Sequence, residues 1–195
     1  MKLFEAIDAF RRAEVLSERH VDHLHVFDMD GTLALSPEPT KENKAAAGLA
    51  KGQGWWGHHD SLSERLPVRP IPEVKAHYDR AKHTKGHKAV VMTGRLDTPE
   101  MRKAVSHTLR RIGVRGHTHG HDLFLNPGRD TAEWKKDQLM SLIKSHKPKH
   151  VHVYDDRPTH AAEFSHLLKS MGVPHTIYNV AHPKWGSGDK MPATS

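Results

Sequence analysis

The run Val26-Phe27-Asp28-Met29-Asp30-Gly31-Thr32-Leu33 constrains this chain more than any other stretch. The apolar segment Leu24–Phe27 reads as a buried strand, and it stops at two carboxylates one residue apart with glycine next. Apolar side chains belong in a core and paired like charges do not. The chain must therefore leave a sheet here, with Asp28 and Asp30 at the carboxyl end of the strand, where it turns out into a cleft. Two close acids are costly unless a metal or a proton relieves them. One can then attack as a nucleophile while the other carries a proton. The plain structural alternative is an Asp-x-Asp-Gly turn.

Three more apolar runs, Ala89–Met92, Asp122–Leu125 and Val151–Tyr154, read as buried strands, with a weaker fifth at Thr176–Val180. Helical patterns alternate with them. One runs from about Pro72 to Lys85. Another opens at Thr98-Pro99, carries Met101, Val105, Leu109 and Ile112 on one face, and closes at Gly113. Thr131 is expected to cap the next, with Trp134, Leu139, Leu142 and Ile143. Thr159 is expected to cap the last, with Phe164, Leu167, Leu168 and Met171 before Gly172. Residues 3–19 read as an amphipathic helix on the outside of the sheet. Such alternation predicts an α/β, three-layer Rossmann-like fold: a parallel five-stranded sheet with helices on both faces. In such sheets ligands bind beyond the carboxyl ends of the strands.

Residues 34–70 break the alternation with Pro37, Pro39, Pro67, Pro70 and four glycines, and read as a small cap insertion over the cleft. The expectation is a single domain over 1–195: a core of about 20–33 and 71–180, the insertion 34–70, and a mobile tail 181–195. The chain has 195 residues and a formal charge of +7 with its 19 histidines neutral, a balance that favours a polyanionic partner, nucleic acid or a nucleotide, over solubility alone. It has no cysteine, which excludes disulfides and thiolate chemistry and fits a reducing cytoplasm. No apolar run approaches the roughly 20 residues that cross a bilayer. Met1-Lys2-Leu3-Phe4-Glu5 does not read as a secretion signal.

Three further clusters stand at strand ends. In Met92-Thr93-Gly94-Arg95, Thr93 and Gly94 offer a hydroxyl and backbone N–H groups to a phosphate oxygen, and Arg95 adds a charged fork. Lys135, with Lys136 as rival, lies in the first turn of a helix, where the dipole gives a cation nothing and a nearby anion would explain it. Tyr154-Asp155-Asp156-Arg157 ends another apolar strand in two acids. With Asp28 these form an oxygen-rich, hard site suited to Mg²⁺. Each cluster alone also reads as a turn, a cap or a solvated charge.

In this order, and all at strand ends, the four pieces resemble the haloacid dehalogenase superfamily of phosphohydrolases over about residues 22–180. The resemblance implies that Asp28 attacks phosphorus to form an aspartyl-phosphate and that Asp30 protonates the leaving oxygen, then activates water. Thr93 and Lys135 would hold the phosphoryl oxygens. Mg²⁺ would be held by Asp28, the Met29 carbonyl (or, alternatively, that of Asp30) and Asp155 or Asp156. The stretch through Arg157, His160 and Phe164, and Gly54-Trp55-Trp56 before Ser61-Leu62, look like the phosphatase domains associated with RNA repair and the 3′-phosphatase half of phage-type polynucleotide kinase-phosphatases. No Gly-x-x-x-x-Gly-Lys-Ser/Thr loop occurs, so a kinase or ligase would act as a separate partner. Trp55 and Trp56 are candidate base-stacking residues. Arg157, Arg95, Lys41, Lys44, Lys51 and Arg65 are candidates to follow a phosphate backbone. The alternatives are a nucleotidase or other small-molecule phosphatase, and a non-catalytic binding module. Gly116-His117-Thr118-His119-Gly120-His121 and His58-His59-Asp60 alternate metal-ligand types, but in so histidine-rich a chain clusters also arise by chance.

Overall fold

The computed structural model describes residues 21–180 and the backbone of Ala193–Thr194. The helix expected over 3–19 lies outside the described residues, as does the tail apart from those two. A six-stranded sheet forms the centre: β1 (His23–Phe27), β4 (His87–Leu96), β5 (Leu123–Asn126), β6 (His150–Asp155), β7 (His175–Asn179) and β8 (Ala193–Thr194). The spatial order is β5-β4-β1-β6-β7-β8; the first five are parallel and β8 pairs antiparallel with β7. The five expected strands are therefore all present, and at Ala193–Thr194 the backbone is paired rather than loose.

Strand alternation sorts the side chains into two cores. Leu24 and Val26 of β1, Val90 and Met92 of β4, and Val151 and Val153 of β6 face one side. Helices α4 (Thr131–His146) and α5 (Pro158–Ser170) cover it with Trp134, Leu139, Phe164 and Leu168. Phe27, Val91 and Tyr154 face the other side, covered by α2 (Pro72–His83) and α3 (Pro99–Arg111) with Val74, Tyr78, Val105 and Leu109. Thr98 caps α3 through the Met101 N–H, as its sequence predicts. Two caps differ. Asp130, not Thr131, caps α4 by accepting the Glu133 N–H at 3.0 Å, because a carboxylate one residue earlier suits the helix's positive end. Before α5 the capping position is Arg157, without a side-chain bond; Pro158 sets the first helical residue instead, which moves Thr159 inside the helix.

Residues 34–70 hold a small hairpin of β2 (Ala34–Leu35) and β3 (Arg69–Pro70), the short helix α1 (Lys41–Ala47), and a 3₁₀ turn at His59–Leu62. Their own apolar centre is Ala47, Trp55 and Leu66. The chain runs from β1 to β4 on one side of β1 and later returns to β6 on the other. The topological switch point therefore lies at the carboxyl end of β1, the residue position Asp28.

The opposite end of the sheet carries histidines. Parallel register sets His23 beside His87 and His150, and His25 beside His152. The rings of His25 and His152 stack at 4.3 Å, and His25 Nε2 lies 2.9 Å from His87 Nδ1. Burial, followed by the charges of His152, His87, His23 and His77, pushes His25 down to about 3, and burial with neighbouring histidines pushes His152 to about 4. Both lie below the unfolded value, so the unfolded chain binds the extra protons, and stability is lost as pH falls below about 6.5 towards these values. Thermal unfolding between pH 7.5 and 4.5 is expected to show a steeper loss of Tm for wild type than for His25→Gln or His152→Gln.

Candidate active site

The four strand-end clusters converge on one cleft of about 310 Å³ at the carboxyl ends of β1, β4 and β6. The chain leaves β1 at Asp28 and turns tightly through Gly31, whose φ of 76° is a left-handed conformation open to glycine. That turn aims Asp28 and Asp30 into the cleft. Asp155 ends the adjacent β6, with Asp156 next. Ligand oxygens of Asp28, Asp155 and Asp156 all lie within 4.8 Å of one another.

Lys135 crosses from α4 to neutralise this group. Its Nζ donates to Asp28 Oδ1 at 2.7 Å and to Asp155 Oδ2 at 2.9 Å, with the whole side chain buried. The anion that its position in the helix called for is this pair. Its rival Lys136 instead pairs with Glu163, at 3.2 Å. Burial raises the Asp28 carboxyl, and the nearby Asp155 and Asp156 push it further, against the opposing charge of Lys135. Burial also works on Asp155, but Lys135, His160 and the Arg157 N–H outweigh it and hold that carboxyl below the usual range. The three converging carboxylates supply an oxygen-rich ligand set, and that set fits a hard divalent ion.

Asp30 has a different environment. Arg95 Nε donates to Oδ2 at 2.9 Å and Nη2 to Oδ1 at 2.8 Å, while Ser36 donates to Oδ1 at 2.5 Å. Burial alone would raise Asp30, but the Arg95 guanidinium outweighs it and holds the carboxyl low. Asp28 and Asp30, two residues apart, thus have their proton affinities driven in opposite directions.

Several sequence expectations change here. Arg95, expected to fork a phosphate, is buried with that fork already engaged by Asp30. Thr93, expected to meet a phosphoryl oxygen, is fully buried and does not line the cleft; its Oγ1 accepts the Arg95 N–H at 3.3 Å. Gly94, Arg95 and Thr131 line the cleft there instead. Gly94 is required by packing, since a Cβ on it would meet Thr131 Cγ2 at 2.8 Å. The Met29 carbonyl accepts the N–H groups of Ala34 and Thr32 at 2.8 and 3.3 Å, so the turn, not a cation, uses both its lone pairs. Trp55 is buried among Ala47 and Leu66 with Nε1 donating to the Pro37 carbonyl, and presents no face to a ligand.

Trp56 lies on the cleft lip, 41% exposed, with the Arg95 guanidinium 5.3 Å from its ring centre. Arg157 is exposed on the cleft as well. Lys41, Lys51 and Arg65 are exposed on the insertion and Lys44 is half-buried there. His160, buried beside Asp155 at 3.4 Å, joins the site, consistent with its place after the Asp-Asp-Arg run. Ser61 entered the sequence analysis only as part of the Ser61-Leu62 resemblance, with no role, and Ser36 carried no signal, because both sit in a segment without periodicity. His119 pairs with Asp97 at 3.0 Å, and the ligand atoms of His117, His119 and His121 form no group of three; among the described residues His58–His59–Asp60 and the Asp28 cluster do.

No family model matches the chain, and no curated protein matches it. Among solved structures it is similar to a chain in the structure of the Pnkp1/Rnl/Hen1 RNA repair complex, with a TM-score of 0.51 and 18% identity over 80% of this chain. The match spans 42% of that neighbour, so this chain corresponds to less than half of it. At that identity the likeness shows a shared α/β fold.

Two substitutions test the packing of the site. Lys135→Ala leaves buried carboxylates unpaired and is expected to lower stability by about 3–5 kcal/mol in urea unfolding. Trp55→Ala is expected to cost about 3–5 kcal/mol, and Trp56→Ala less than about 0.5 kcal/mol, in the same measurement.

Proposed function

We propose that this chain is a Mg²⁺-dependent phosphomonoester hydrolase of the haloacid dehalogenase type, and that it removes a terminal 3′ phosphate from nucleic acid. The observation that carries the reading is the convergence of Asp28, Asp155 and Asp156 around Lys135 at the switch point of a parallel sheet, with Asp30 beside them in an opposite electrostatic environment. In this reading a carboxylate oxygen of Asp28 attacks phosphorus while the bond from phosphorus to the leaving oxygen breaks. Asp30 gives that oxygen its proton. Asp30 then takes a proton from water, which attacks the aspartyl-phosphate and releases inorganic phosphate and the Asp28 carboxylate. Arg95 keeps Asp30 ionised and ready to accept a proton, and the negative phosphoryl group arriving beside it favours the protonated acid needed for the first step.

Mg²⁺ would be held by Asp28, Asp155 or Asp156 and the Asp30 carbonyl, and when bound it supplies positive charge to the phosphoryl oxygens. Lys135 supplies a fixed positive charge, and the Gly94 N–H is the neighbouring candidate donor for those oxygens.

Four features support a nucleic-acid substrate: the +7 charge, Arg157 on the cleft, the exposed ring of Trp56, which can stack on a base for about 1–3 kcal/mol, and a fold neighbour from an RNA repair complex. A separate kinase or ligase would complete end repair.

Phosphate release with Mg²⁺ and with chelator, from matched 3′-phosphate RNA, 3′-phosphate DNA, 5′-phosphate oligonucleotides and mononucleotides, tests this. Metal-dependent preference for a 3′-phosphate oligomer is expected. Better hydrolysis of mononucleotides would make the chain a nucleotidase, and no release from any substrate would leave a binding module. Asp28→Asn is expected to abolish turnover, and Asp30→Asn to lower it about 10²–10⁴-fold.

A further inference from the structure

We propose that the insertion 34–70 builds the acid–base residue of this site, with Ser61 and Ser36 as positioning residues that hold Asp30 from two sides. The proposal rests on the phosphatase reading above.

Ser61 is fully buried in the 3₁₀ turn. Its hydroxyl donates to the His58 carbonyl at 2.7 Å, and its oxygen accepts Arg95 Nη1 at 2.6 Å. Both roles are dictated by chemistry. Arginine has only donors, so Oγ must accept from it, and the hydroxyl proton is then left for a carbonyl. The His58 carbonyl fixes the hydroxyl's rotation and so aims its lone pair at Arg95. Arg95 in turn presents Nε and Nη2 to Asp30 as a two-pronged fork. A guanidinium is planar and rigid, so fixing Nη1 fixes the direction of the other two nitrogens. The Arg95 Cζ lies over the ring of Trp56 of the same insertion.

Ser36 completes the arrangement from β2's end of the insertion by donating to Asp30 Oδ1. Oδ1 then accepts two hydrogen bonds, and Oδ2 accepts one from Arg95. A carboxylate has about four acceptor positions, and by this count the remaining one belongs to Oδ2. The insertion therefore selects which oxygen of Asp30 exchanges a proton with the substrate. The core strands contribute Asp30 and Arg95, and without Ser36 and Ser61 neither would be held to one geometry.

The test compares two phosphate esters by kcat/KM, which reports steps only up to departure of the leaving group. An aryl phosphate, whose phenolate leaves without help, needs no acid. An alkyl phosphate such as an oligonucleotide 3′-phosphate does. Ser61→Ala is expected to lose about tenfold in kcat/KM on the alkyl ester and less than about twofold on the aryl ester. Ser36→Ala is expected to show the same split, and both variants should still unfold in one cooperative transition, at a midpoint lowered by the loss of buried hydrogen bonds. Equal losses on both esters, or no loss on either, would overturn the proposal. A wild type active on both, with Asp30→Asn showing the split and neither serine variant doing so, would leave the phosphatase reading standing and remove this one. A wild type inert toward both esters with Mg²⁺ present would overturn both readings.

Discussion

Three carboxylates meet at the end of β1 and β6, and a buried ammonium makes that possible. Removing an acid from water is costly, and placing a second beside it raises the cost further. Lys135 relieves this by contacting Asp28 and Asp155 together. To do so α4 must lie against one face of the sheet with its first turns at the carboxyl edge, and β6 must be the immediate neighbour of β1. The strand order, the helix layer and the direction of the chain at Asp28 together bring this charge cluster into being. The three converging carboxylates give the pocket an oxygen-rich lining that suits a positive charge. In a stable fold that is a binding property rather than a flaw.

A second ion pair, Arg95 with Asp30, works by a different rule. Its members come from two core strand ends, yet its geometry depends on hydroxyls supplied from outside the core. Arg95 is thereby buried at the cleft, where Arg157 and the ring of Trp56 are the exposed lining groups. The two acids of the Asp-x-Asp run, close in sequence, consequently experience opposite fields. Asp28 lies among like charges and Asp30 lies under a guanidinium.

Much of this was legible in the residue order. Asp28, Asp30, Asp155 and Asp156 were candidates because each stands where an apolar strand pattern stops, and Lys135 because a cation in the first turn of a helix calls for a nearby anion. Arg95 was identifiable as a site residue, but its partner was not, since Asp30 lies 65 positions away and nothing local distinguishes a fork aimed at phosphate from one aimed at a carboxylate. Trp55 and Trp56 were indistinguishable in sequence; one packs on Ala47 and Leu66 and the other faces the cleft because adjacent residues on a loop point different ways. The roles of Ser36 and Ser61 were invisible, since both lie in a segment with no period to mark a face.

The stacked histidines show the same boundary. Their number was plain from composition, but only parallel register aligns His23, His25, His87, His150 and His152 into adjoining rings. Local hydrophobic period, glycine placement and the acids at strand ends were enough to specify a parallel α/β sheet with its site at the carboxyl edge, because those features act over a few residues along the chain. Which cation meets which acid, which tryptophan is buried, and which hydroxyls hold Asp30 were decided by the tertiary structure. Those contacts join segments tens of residues apart, and their energies exist only once the segments are packed.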